Sequence, residues 1–90
     1  MAHVVRDRKK LLARVRRVGG QVAALEKALL AGAECNDLLV QIAAAKGAMH
    51  GLMMEVLAGH LAEHVVAKAD ADERAREAGT VLALIRSMGR

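Results

Sequence analysis

An all-α fold is predicted for this 90-residue chain by three features: it has no proline, it has no aromatic residue, and its apolar residues recur every three or four positions. Strands favour aromatic and β-branched residues, whereas Ala, Leu, Glu, Lys and Arg favour helix. Without Phe, Tyr or Trp, the core must come from Leu, Val, Ala, Ile and Met, which bury less area per residue. Long helices of so small a chain are therefore expected to pair between copies.

Leu11, Val15, Val18, Val22, Leu25 and Leu29 alternate steps of four and three, so a first helix is expected over about 5–30. The stripe stays in phase through Gly19-Gly20, which points to close approach of another backbone. Gly32 supplies a stop. Leu38, Leu39, Ile42, Ala45, Met49, Leu52, Met53, Val56 and Leu57 then define a second helix over about 35–66. Asp70 and Asp72 offer N-caps for a short third helix over about 72–88, with Val81, Leu82, Leu84, Ile85 and Met88 as its apolar positions. The expectation is one domain, residues 1–90: a three-helix protomer with two long helices and a short third.

The net charge of +4 hides an asymmetry, because seven of the fourteen Lys and Arg residues fall within the first seventeen positions beside one acid, Asp7. The remainder carries seven basic and nine acidic residues, so attraction to polyanions is local. With one cysteine and no apolar run long enough for a signal segment or membrane span, a cytoplasmic, reducing setting is expected.

His60 and His64 are four residues apart, so on a helix both rings leave one face and can share an ion. The same spacing suits two solvated histidines. Cys35 lies twenty-five residues before His60, roughly 37 Å along a helix, and cannot reach it within one chain. An antiparallel second copy closes the gap, since a two-fold axis between Gly47 and Ala48 sets residue 35 of one chain level with residue 60 of the other. The small residues Ala43, Ala44, Ala45, Gly47, Ala48 and Gly51 surround that axis. Against this, Cys35 reads equally well as a packed small hydrophobe and the alanines as simple helix formers.

His3 stands in an N-terminal arm and becomes a fourth ligand if the arm folds over the end of helix 2. His50 lies near the axis and reads as a pairing or surface residue, and Met49, Met53 and Met88 read as packing. Three imidazoles with one thiolate suit Ni(II), Co(II) or Zn(II), whereas Cu(I) draws more sulfur. An enzyme is disfavoured, because Cys35 has no evident orienting group or oxyanion device beside it.

Arg6, Lys10, Arg14 and Arg17 step down one flank of helix 1, with Arg8, Lys9 and Arg16 close by, and make a ridge suited to the phosphates of double-stranded DNA. A solvated surface is the plainer alternative. No reading helix, zinc finger or aromatic platform accompanies the ridge, so recognition would lean on backbone charge and DNA shape.

The segments Leu12-Ala13-Arg14-Val15-Arg16-Arg17-Val18-Gly19-Gly20-Gln21-Val22, Glu34-Cys35, Gln41-Ile42-Ala43-Ala44 and Gly51-Leu52-Met53-Met54-Glu55-Val56 followed by His60 together resemble the CsoR/RcnR family of metal- and aldehyde-responsive repressors. That resemblance implies a dimer of dimers, sensing sites between protomers, and operator DNA released on effector binding. His64 replaces the second Cys of the copper branch and Ala2 the Pro of the formaldehyde branch. His3, Cys35, His60 and His64 look like the ligands of the nickel/cobalt-responsive RcnR branch, whose implied role is to repress metal efflux until Ni(II) or Co(II) binds. Arg14 and Arg17 match the family's DNA-contacting positions. His50 and Gly19 depart from the common pattern. Formaldehyde sensing at Cys35, response to Cu(I) or Zn(II), and metal storage without DNA binding are the rival readings.

Overall fold

The computed structural model describes residues 2–88, all of whose regular elements are helical: α1 (Ala2–Arg6), α2 (Arg8–Leu30), α3 (Cys35–Leu61), a π-helical extension (Ala62–Val66) and α4 (Ala71–Met88). The all-α expectation holds, with two long helices and a shorter one. Two boundaries differ. The single first helix expected from about Val5 is divided at Asp7, whose ψ of 12° leaves helical geometry, so the arm bearing His3 is itself a short helix that packs on α3. The second helix ends near Val66 as expected, but its last turn widens to i to i−5 bonding, with Ala67 N–H donating to Ala62 C=O at 3.1 Å.

Local chemistry sets the other ends. Gly32 has φ +75°, and the Ala33 and Gly32 amides donate to Ala28 and Leu29 carbonyls at 2.9 and 3.2 Å, which satisfies the orphan carbonyls of α2. Asp70 caps α4, its Oδ2 accepting from Glu73 N–H at 3.1 Å.

α2 packs along α3, and α4 packs on the π-turn and the end of α3. Only half of the predicted α2 stripe turns inward. Leu11, Val18 and Leu25, interleaved with Arg14, Gln21 and Ala28, form the less exposed edge, whereas Val15, Val22 and Leu29 are 48, 53 and 60% exposed. On α3, Leu38, Gln41, Ala45, Ala48, Leu52 and Glu55 follow the covered edge, while Leu39, Ile42 and Met49 face outward. Among the described residues nothing lies within 4 Å of where a β-carbon on Gly19 or Gly20 would stand, so the expected backbone approach is not made by these residues within one copy.

The result is a slab. Its extents are 55 × 31 × 13 Å, and the thin dimension is that of one helix layer. The radius of gyration is 17.0 Å, against about 12 Å for a compact domain of this length. A surface of 6711 Å² exceeds by roughly 1,700 Å² what a compact monomer of this mass exposes. Among the described apolar side chains only Val18, Leu57 and Val81 are buried, and none of them completely, because a single layer offers each helix one flank to cover, not a core.

Candidate metal centre

Three of the four predicted ligands meet at one end of the slab. His3 comes from α1, His60 from the last turn of α3 and His64 from the π-turn, and one donor atom from each lies within 4.8 Å of the others. The His60 and His64 rings are 4.7 Å apart and tilted by 38°, and His3 meets His64 edge-on at 5.8 Å. Cys35 is exposed at the opposite end of α3, as a helix of 27 residues requires. His50 is exposed and outside the cluster.

His3 is the most buried polar residue described, at 3% exposure. Its amide N–H donates to Glu63 Oε2 at 2.8 Å, so Glu63 pins the start of α1 to the π-turn, and its ring lies over Gly59. His60 Nε2 is buried and faces the Glu77 carboxylate of α4, with Oε2 3.1 Å away. Three neutral imidazoles gathered at one place are the nitrogen donor set that borderline divalent ions take, and an acceptor carboxylate such as Glu77 beside a ligand imidazole orients it. These residues therefore fit a borderline transition metal. N–metal bonds of about 2 Å bring ligand nitrogens to roughly 3 Å from one another, so donors already within 4.8 Å need only small side-chain adjustments to share an ion.

The predicted DNA-contacting residues are distributed unevenly. Lys10, Arg14 and Arg17 line an open groove of roughly 700 Å³ whose floor is Ala44, Gly47 and Ala48 of α3. Four of the six small residues assigned to a two-fold axis, Ala44, Gly47, Ala48 and Gly51, thus line this groove within one chain. Arg6 stands across the Asp7 break, 3.8 Å from the Asp7 carboxylate, and Arg16 is exposed outside the groove. Glu55 of α3 holds Lys10 Nζ at 2.6 Å and Arg14 Nη2 at 3.6 Å. The hydrogen bond from Lys10, then its charge, keeps the Glu55 carboxyl below its ordinary value of 4.5 against a smaller opposing effect of burial, with Arg14 assisting.

Sequence reasoning missed Glu55, Glu63, Glu77 and Gly59. Glu63 lies between the two α3-end histidines, and Gly59 directly precedes His60, which are the only local signals. Glu55 and Glu77 gain meaning only from helices that approach them in space.

Comparison with known proteins gives a consistent answer. The family model described as metal-sensitive transcriptional repressor matches residues 7–87. The transcriptional repressor RcnR of Escherichia coli K12 is 46% identical over 87 residues, covering 97% of each chain. A protein encoded in the bioA 5′ region of Serratia marcescens is 58% identical over 77 residues, 86% of this chain and 84% of that one. Among solved structures, a variant of the formaldehyde-responsive regulator FrmR from Salmonella enterica serovar Typhimurium superposes with a TM-score of 0.82 at 44% identity, over 91% of this chain and 93% of the other. With likeness running through nearly the whole length in sequence and in fold, the chain belongs to the metal-sensitive transcriptional repressor family.

Proposed function

We propose that this repressor holds operator DNA while metal-free and releases it when Ni(II) or Co(II) is bound by His3, His60 and His64 of one chain and Cys35 of a second copy. The observation that carries the reading is the convergence of three histidines, His3 buried among them, with one donor nitrogen from each within 4.8 Å of the others. The ion would supply a fixed link among nitrogen and thiolate donors, for which Ni(II) and Co(II) are suited. His3 draws α1 onto α3, and the basic run starts three residues further on at Arg6, so ordering the arm bears on the DNA ridge. Lys10, Arg14 and Arg17 contact phosphate from the groove, with Arg6 and Arg16 as outer contacts.

The assembly is a dimer of dimers. A one-layer slab with excess surface and unmatched apolar edges at Val15, Val22, Leu29, Leu39, Ile42 and Met49 supports a second layer supplied by another copy. An antiparallel α3 pair brings Cys35 to the partner's histidines. No described helix is long and apolar enough to cross a membrane. A cytoplasmic location goes with the proposed binding of operator DNA.

The test is a titration with Ni(II), Co(II), Zn(II) and Cu(I), read by thiolate charge-transfer absorption and by release of an operator fragment. Ni(II) and Co(II) should give both signals, and Cys35→Ala or His64→Leu should abolish release. Unchanged release in both variants would end the reading. Formaldehyde sensing is the second reading, favoured by the likeness to FrmR and the exposed Cys35 thiol. A methylene crosslink at Cys35 by mass spectrometry, with no metal effect on DNA binding, would establish it instead.

A further inference from the structure

A β-carbon placed on Gly59 would meet His3 Nδ1 at 2.5 Å, Cγ at 3.1 Å and Cε1 at 3.2 Å. The first distance is closer than real Cβ atoms come, and all three partners belong to one rigid, buried ring, so the ring must move as a whole. The other described helix glycines differ. Gly19, Gly20, Gly47 and Gly79 have open space where a Cβ would go, and Gly51 meets only the flexible end of Arg14 at 3.3 Å.

We propose that Gly59 is a specificity-determining position: its missing side chain admits the His3 imidazole to the His60–His64 pair, and so sets how many imidazoles the site can offer an ion. The inference rests on the metal-centre reading above. Gly59 touches no ion and acts only through His3, so it is a positioning residue. A β-carbon there would press the ring and the α1 backbone off α3, leaving His60 in place on α3 and His64 on the π-turn that continues it. The site would then keep two imidazoles and whatever a second copy adds. Ions content with four ligands, such as Zn(II), would lose less than Ni(II) or Co(II), which use more. Alanine is also the better helix former, so the substitution leaves α3 intact while excluding the ligand.

The test compares full-length Gly59→Ala, His3→Ala, the double variant and Gly79→Ala, the last a helix glycine with open space around it. Each is titrated with Ni(II), Co(II) and Zn(II), and helicity is followed by circular dichroism. In the metal-free protein, proximity of the His3 ring to residue 59 is followed by NMR with labelled histidine. Gly59→Ala should keep its helicity, lose the His3 contact, and weaken Ni(II) binding by the factor seen in His3→Ala, about 10–100-fold, the range for loss of a group that supports a metal site. The double variant should be no weaker than His3→Ala alone, and Gly79→Ala should bind as the parent does. If His3→Ala weakens Ni(II) binding and Gly59→Ala does not, or if the two losses multiply in the double variant, the role of Gly59 is overturned while the metal centre stands. If His3→Ala itself binds Ni(II) like the parent, His3 is no ligand, and the metal reading of the arm falls with it.

Discussion

Replacing Glu55 by Gln should tighten operator binding, although no DNA contact is added. Glu55 places one negative charge between two cations of the α2 groove, 2.6 Å from Lys10 Nζ and 3.6 Å from Arg14 Nη2. Phosphate entering that groove competes with a carboxylate already seated there. Glutamine keeps the shape and leaves the two cations with a net gain of one positive charge per protomer. Each phosphate neutralised contributes about −0.9 to the slope of log K against log[salt], so the slope should steepen by about that much for every protomer facing the duplex. Taking the electrostatic contribution to vanish near 1 M salt, the gain at 0.1 M is roughly eightfold per protomer. Fluorescence anisotropy of a labelled operator fragment across a salt series measures both quantities. Glu26→Gln, at an exposed acid elsewhere on α2, is the comparison that separates local competition from net charge. An unchanged slope, or weaker binding by Glu55→Gln at every salt concentration, would refute competition and make Glu55 an organiser of the two cations. The pH dependence has a definite sign. Because the carboxyl is depressed in the folded protein, its pairs are complete above 4.5 and are lost only as pH falls through the lower folded value. From about pH 6 to 8, Glu55 should therefore add no pH dependence to DNA binding.

Leu57→Ala removes the buried apolar side chain of α3, one of three among the described residues, and thermal melts should register a loss of about 2–5 kcal/mol. Asp70→Ala deletes the cap on the Glu73 amide and should cost about 0.5–2 kcal/mol, with amide exchange rising first in the opening turn of α4. Ile42→Glu, at an outward apolar position of α3, should shift the protein to a smaller species in sedimentation and abolish the thiolate charge-transfer band, because Cys35 would no longer reach a second copy's histidines. Retention of both the band and the sedimentation coefficient would rule out that face as the contact.

The sequence alone determined what depends on neighbours a few residues apart. Helical periodicity fixed the helices to within a turn, Gly32 and Asp70 marked ends whose hydrogen bonds are local, and the four-residue spacing of His60 and His64 set two rings on one face. The impossibility of a one-chain site with Cys35 also followed from helix rise alone. The stripe from Leu11 to Leu29 could not disclose which half faces α3, since residues 15, 22 and 29 fit an amphipathic pattern as well as 11, 18 and 25 do. Only tertiary contact sorted them. It also decided the break at Asp7, the burial of His3 over Gly59, the tether to Glu63 sixty residues away, and the carboxylate of Glu55 among the α2 cations. The physical reason is common to all of these: each is a contact between helices distant in sequence, and periodicity along one helix carries no information about what lies across from it.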